Sequence, residues 1–143
     1  MPGRQMSATA AVIDDGRVLL VRRRDLGTWE MPGGFVEERE APWETAVREC
    51  LEESGVRVSA GPLVGVYHRP RQDLTVLVFR CARIGGSPAP SDEASEAGWF
   101  SIDQIPAPMV DVVKERFLDA SSGVLGAYRT QMARGNADLR REE

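Results

Sequence analysis

The chain has 143 residues, a formal net charge of −4 and 42% hydrophobic residues. This length suits one domain with its own core, and the acidic balance argues against binding nucleic acid through a broad basic surface. The two cysteines, Cys50 and Cys81, lack the spacing of a disulfide framework or a zinc site. No apolar run suits a membrane span or a secretory signal, so we expect a cytoplasmic protein without membrane partners.

The first part of the chain predicts two strands and a short extended segment. Residues 7–13 and 17–24 are rich in apolar residues and flank an Asp-Gly pair, which is typical of a hairpin turn. Residues 28–31 predict an extended segment that leads into a glycine-rich loop at Gly33 and Gly34.

A helix is predicted over residues 42–54. Pro42 suits its first turn, where a missing N–H is tolerated, and Gly55 suits the position just past its end. At about 100° per residue, one face of this helix carries Trp43, Ala46, Val47 and Cys50, and we expect it to pack on the core.

Three glutamates on a neighbouring arc of this helix indicate a metal site. Glu49, Glu52 and Glu53 stand at spacings of three and four residues, where like charges repel each other. A hard divalent cation reverses that repulsion, because Mg²⁺ takes oxygen ligands. The alternative is an exposed helix whose acids are simply solvated.

The rest of the chain predicts strands at residues 58–68, 74–82 and 97–101, a loop at 85–91 and a second helix at 110–120. Residues 121–143 read as a C-terminal extension, of which 134–143 is a polar tail that contributes nothing to the core. Strands around a central helix, with a later second helix, predict an α/β fold with a mixed sheet covered on both faces.

The segment from Gly34 to Val56 carries a specific pattern, whose fixed members are Gly34, Glu40, Arg48, Glu49, Glu52, Glu53 and Gly55. This pattern resembles the Nudix box of the Nudix hydrolases at every constrained position. The resemblance implies an α/β/α sandwich over about residues 7–120 within a single domain, and hydrolysis of phosphoanhydrides with Mg²⁺ or Mn²⁺. Arg39 departs from the usual pattern, because a glycine commonly precedes Glu40.

The resemblance also implies roles for individual residues. The Gly33 carbonyl with Glu49, Glu52 and Glu53 would hold the metal, and Arg48 would orient the catalytic glutamates. A glutamate on a later loop often adds a ligand or a general base in this family. Glu93 is the better match for it, and Glu96 is the substitute.

The substrate is less well defined by the sequence. Arg22, Arg24 and Arg69 are candidates for binding phosphate, with plain exposed strand ends as the alternative. Pro70 resembles a proline of ADP-ribose-type members and favours a nucleoside diphosphate linked to another moiety. A (d)NTP pyrophosphohydrolase and a catalytically inert nucleotide-binding module are the two alternatives, and a homodimer is compatible with either.

Overall fold

The structure is a computed structural model that describes residues 4–141. In that range the chain forms eight strands, three helices and one 3₁₀ turn at Pro70–Gln72. In chain order the elements are β1 (Gln5–Asp14), β2 (Arg17–Arg23), β3 (Trp29–Glu30), β4 (Gly33–Phe35), α1 (Pro42–Ser54), β5 (Arg57–Arg69), β6 (Leu74–Gly85), β7 (Ala94–Ser101), α2 (Asp111–Ser121), β8 (Ala127–Thr130) and α3 (Asn136–Arg141).

The sheet is mixed, with the strand order β3-β2-β1-β6-β5-β8; β4 also pairs with β1, and β7 with β2. The β1–β6 and β5–β8 pairs are parallel, while the other pairs are antiparallel. This sheet brings β4 and the start of β7 close to the same end of α1. The candidate site described below lies there.

Two buried clusters lie on opposite faces of the sheet, because successive side chains of a strand point to opposite sides. Ala46 and Cys50 of α1 pack with one cluster, and Val112 and Phe117 of α2 pack with the other. The predicted α/β/α arrangement with a mixed sheet is confirmed. No helix in residues 4–141 combines the length and apolar character that crossing a membrane requires.

Helix α1 has the predicted bounds, but its core-facing side differs from the prediction at one position. Trp43 is 54% exposed, whereas Thr45 is fully buried. The Thr45 hydroxyl donates a hydrogen bond to Glu40 Oε1 at 2.6 Å, so the inward position satisfies its polar group. Gly55 ends the helix with a φ of 79°, a left-handed conformation that glycine adopts without strain.

The C-terminal extension makes contacts that the sequence did not predict. Strand β8 extends the sheet beside β5, and Gln131 is 3% exposed. In α3, Asn136 donates to Glu30 Oε1 at 3.2 Å and accepts from Thr28 at 2.7 Å. Polar side chains make these contacts, which is why apolar periodicity gave no sign of them; residues 142 and 143 lie outside the described range.

Candidate active site

Three carboxylates from two parts of the chain meet at the carboxyl-terminal end of α1. Glu49 and Glu53 lie one turn apart on the helix, and Glu93 lies just before β7. One oxygen from each lies within 4.8 Å of the other two. Three convergent carboxylates are the ligands that hard divalent cations prefer, so these residues suit Mg²⁺ or Mn²⁺.

The glycine turn at β4 closes on this carboxylate cluster, defined as Glu49, Glu53 and Glu93. The Gly33 N–H donates to Glu53 Oε2 at 3.1 Å. A Cβ at Gly34 would lie 2.6 Å from Glu49 Oε1, and one at Gly33 would lie 2.6 Å from the Ala8 carbonyl. Both positions therefore require glycine, because neighbouring atoms approach the backbone too closely to leave room for a Cβ.

Arg48 joins the cluster to the loop before the helix. Its Nε and Nη2 donate to the two oxygens of Glu40 at 2.7 and 3.0 Å, which is a bidentate pair. Its Nη1 donates to Glu49 at 2.9 Å and to Glu52 at 3.1 Å. Arg48 thus holds Glu49 in place, while Glu40 anchors Arg48.

The electrostatics of the cluster favour a bound cation. Burial, followed by the charges of Glu30 and Glu49, raises the pKa of Glu53 to about 9. Burial also raises the pKa of Glu49, although the hydrogen bond from Arg48 opposes the shift. Nearby positive charge favours the ionised form of a carboxyl, so a divalent cation would offset both shifts.

The structure places two of the predicted glutamates outside this cluster. Glu52 is exposed and pairs with Arg48, so its carboxylate does not share the three-oxygen arrangement. Glu96 pairs with Arg22 at 3.1 Å on the edge formed by β7 and β2. Of the two loop candidates, Glu93 is the one that lies beside Glu49 and Glu53.

The arginines at the end of β2 have different surroundings from those expected. Arg22 pairs with Glu96 and lines neither cavity described below, whereas Arg23 lines both. Arg24 lines the cavity that contains the cluster, and its Nε donates to Ser91 O at 2.9 Å. The Arg24 N–H also donates to Glu93 O at 3.0 Å, so this residue fixes the loop that carries Glu93.

Two cavities meet at the glycine turn. The outer recess, of about 590 Å³, contains the carboxylate cluster, and the inner recess, of about 250 Å³, lies between β3, β5 and α2. They share five lining residues: Arg23, Glu30, Gly33, Gly34 and Phe35.

The inner recess holds polar groups that the sequence did not single out. Glu30, Arg116 and Asn136 line it together with the predicted Arg69. Arg69 is only 5% exposed, so the alternative of an exposed strand end does not apply to it. Arg116 could have been noticed in the sequence, because it is a charged residue within the apolar face of the second helix.

These features define a class of protein, namely an α/β/α domain with three carboxylates gathered against a glycine turn. Comparison with known families agrees, because the NUDIX domain family matches residues 3–120. The chain belongs to the Nudix hydrolase family, whose members act on phosphoanhydride bonds.

Individual relatives share much of the chain. A MutT-like protein of Streptomyces ambofaciens is 41% identical over 81% of this chain and 75% of its own length. An ADP-ribose pyrophosphatase of Methanocaldococcus jannaschii is 36% identical over 64% of this chain and 59% of its own. An oxidized purine nucleoside triphosphate hydrolase of Danio rerio is 37% identical over 66% of this chain and 65% of its own length.

Solved structures show the same fold. The structure of a NUDIX hydrolase from Nitrosomonas europaea superposes with a TM-score of 0.82 at 23% identity. It covers 92% of this chain and 80% of its own.

Proposed function

We propose that this chain hydrolyses, with Mg²⁺ or Mn²⁺, a phosphoanhydride bond in a nucleoside diphosphate linked to another moiety, such as ADP-ribose. One observation carries the proposal: two recesses meet at the glycine turn beside the carboxylate cluster. A diphosphate at that junction leaves room for one substituent on each side, which suits a two-part substrate.

The metal is assigned to Glu49, Glu53 and Glu93, together with the backbone of Gly33. When bound, a divalent cation would neutralise phosphate oxygens. It would also lower the pKa of a water molecule, so that this water loses a proton and becomes a nucleophile near neutral pH. Glu52 is assigned to the edge of this site, because it lines a further cavity together with Glu53 and Glu93.

The chain's own groups complete the chemistry. Water attacks one phosphorus, the bond from that phosphorus to the bridging oxygen breaks, and two phosphomonoesters leave. One carboxylate of the cluster accepts the proton that the water loses. Arg48 holds Glu49 in position for this role, since its other nitrogens are fixed by Glu40.

The substrate moieties are assigned to the recesses by their linings. Phe35 is 56% exposed on the shared wall and offers an apolar face to a base or a sugar. Arg23 lies on the same wall, where it pairs with Asp25 at 2.8 Å and with Glu30 at 3.2 Å. Pro70 begins the 3₁₀ turn directly after Arg69, the buried arginine of the inner recess.

A second candidate is a (d)NTP pyrophosphohydrolase. The name of the Danio rerio relative favours it, as the name of the Methanocaldococcus relative favours the first. An inert binding module is the least favoured alternative, because the carboxylates that suit a metal are all retained. The cytoplasmic location, the absence of nucleic-acid partners and the homodimer stay predictions.

The decisive experiment is product analysis on a panel of substrates. We expect AMP and ribose 5-phosphate from ADP-ribose at a kcat/KM above about 10⁴ M⁻¹s⁻¹ with Mg²⁺, and no turnover in EDTA. Faster release of pyrophosphate from a (d)NTP would establish the second candidate instead. Lack of turnover on the whole panel with either metal would favour the inert module.

A further inference from the structure

The inner recess contains an arginine without a carboxylate partner among the described residues. Three arginines line it, but Glu30 is the one carboxylate among its lining residues. Arg23 pairs with Glu30 at 3.2 Å, and Arg69 lies 3.5 Å from Asp138. Among the described residues, Arg116 has no carboxylate within ion-pair distance.

Arg116 is held in place while part of its donor capacity stays unused. Its Nε donates to Gln131 Oε1 at 3.1 Å, and its guanidinium carbon lies 5.9 Å from the centre of the Tyr67 ring. In the described part of the chain its two terminal nitrogens make no hydrogen bond to protein. Burial and the neighbouring charge of Arg69 lower the pKa of Arg116 to about 10, so it stays charged at neutral pH.

Arg69 supplies a second unused donor. Its Nη2 donates to Ala133 O at 3.2 Å, whereas its Nη1 makes no hydrogen bond to protein among the described residues. Arg69 lines the recess together with Arg116. The charge of Arg69 lowers the pKa of Arg116, and the charge of Glu30 acts in the opposite direction.

Two neighbouring guanidinium groups with unused N–H donors suit an oxyanion. A guanidinium offers N–H groups in a planar fork that matches carboxylate and phosphate oxygens, and such bonds strengthen away from bulk water. A neutral group would leave the charge of Arg116 without a carboxylate or phosphate partner.

We propose that the inner recess is an anion site in which Arg116 and Arg69 bind a phosphomonoester or a carboxylate. Within the proposed function, the substrate is then a diphosphate conjugate that carries an additional anionic group on the moiety entering this recess. The substrate assignment rests on the proposed function, whereas binding of the anion by the recess does not.

The first test needs neither metal nor turnover. Thermal unfolding of the full chain is followed in EDTA with increasing inorganic phosphate, against sodium chloride of equal ionic strength. Phosphate should raise the Tm of the wild-type protein, because a ligand that binds only the native state stabilises it. Arg116→Gln should abolish this rise, and Arg116→Lys, which keeps the charge without the fork, should retain part of it.

Arg83→Gln is the matched control. It removes the same charge from an exposed arginine whose side chain, among the described residues, donates to the Gly86 carbonyl. Its response to phosphate should equal that of the wild type. An equal rise of Tm in wild type and Arg116→Gln would overturn the proposal. So would the absence of any rise in the wild type.

The second test identifies the source of the anion with matched pairs of substrates. ADP-ribose is compared with its 2′-phosphate, and UDP-glucose with UDP-glucuronate, so that each pair differs by one anionic group. The anionic member of one pair should have a KM lower by roughly tenfold or more, the range of a charged hydrogen bond. Arg116→Gln should remove that preference, so that the two members of the pair have similar KM values.

The two failures can be told apart. Loss of turnover on all four compounds with an intact phosphate response would reject the proposed function and leave the anion site standing. Normal turnover with no preference in either pair would overturn the substrate part of the proposal.

Discussion

The carboxylate cluster and the inner recess are adjacent, yet they are built in opposite ways. The cluster takes Glu49 and Glu53 from one helix and closes them against a glycine turn about 20 residues earlier. The recess takes Glu30, Arg69 and Arg116 from three elements that are distant in sequence. Helical spacing fixes the first arrangement locally, whereas the second exists only once the sheet and α2 have packed together.

The two regions also differ in the sign of their uncompensated charge. The cluster holds three carboxylates that lie close together, and the recess holds an arginine without a carboxylate partner among the described residues. The proposed function therefore assigns hydrolysis to the carboxylate cluster and substrate recognition to the inner recess, and the glycine turn lies between them. Each can be disrupted by a substitution that leaves the other intact.

The largest effect is expected on the cluster side. Glu53→Gln should lower kcat by about 10²-fold or more, the size of losing one electrostatic element of an active site. The neighbouring Glu52→Gln should cost less than about tenfold in kcat, because its carboxylate lies outside the three-oxygen cluster. Steady-state kinetics on the best substrate decide this, and equal losses in both variants would place Glu52 in the metal site after all.

The loop glutamate gives the next effect. Glu93→Gln should lower kcat by roughly tenfold to a hundredfold, since a positioned acid–base group contributes about that much or more. Its free energy of unfolding should stay within about 0.5 kcal/mol of the wild type, because the side chain is exposed. Glu96→Gln is the control and should keep its kcat; a loss confined to that variant would show that the wrong loop residue was chosen.

On the side of the inner recess, we expect a substitution at Gln131 to lower the free energy of unfolding. Gln131 donates to Val112 O and Glu115 Oε1 and accepts from Arg116, all while 3% exposed. Gln131→Ala should therefore lower the free energy of unfolding by about 2–3 kcal/mol.

Its neighbour offers a control for that measurement. Met132 is 51% exposed, so Met132→Ala should change the free energy of unfolding by less than about 0.5 kcal/mol. Denaturant unfolding measures both variants. Similar values would contradict the assignment of residues 127–136 to the folded core.

The smallest effect is expected for Glu40, which holds Arg48 in place but lies outside the carboxylate cluster. The hydrogen bonds from Arg48 are the main reason why the pKa of Glu40 is lowered to about 2. A carboxyl with a lowered pKa in the folded state adds stability above its unfolded pKa, and this is lost as pH falls from about 5 to about 2. The difference in unfolding free energy between wild type and Glu40→Gln should shrink over that range.

Glu38→Gln, in the same loop, is the comparison for the acid series. Glu38 is exposed, so this variant should follow the wild type at every pH within about 0.5 kcal/mol. A gap between wild type and Glu40→Gln that stays constant down to about pH 2 would mean that Arg48 does not stabilise the charged form of Glu40.

The parts of the fold that follow local rules were predictable from the sequence. Helix α1 has the expected bounds because Pro42 and Gly55 mark both ends, and the β1–β2 hairpin forms at its Asp-Gly pair. Arg39 takes the place of the usual glycine by adopting a φ of 66°, at a cost of about 1–2 kcal/mol for an L residue.

The groups that depend on register or on distant packing were not predictable. Arg22 was chosen over Arg23, yet the pairing of β2 with β7 is irregular between these two residues, so alternation cannot be counted through them. Strand β8 and helix α3 were missed because Gln131 and Asn136 join the fold through hydrogen bonds. Apolar periodicity does not report such contacts.

The position of Asn136 in the inner recess has a consequence for the order in which the protein is made. All three carboxylates of the cluster have been synthesised once Glu93 is in the chain, but Asn136 follows 43 residues later. At about 5–20 residues per second this is a delay of roughly 2–9 s. A nascent chain thus contains all three carboxylates of the cluster for several seconds before Asn136, which completes the lining of the recess, has been added.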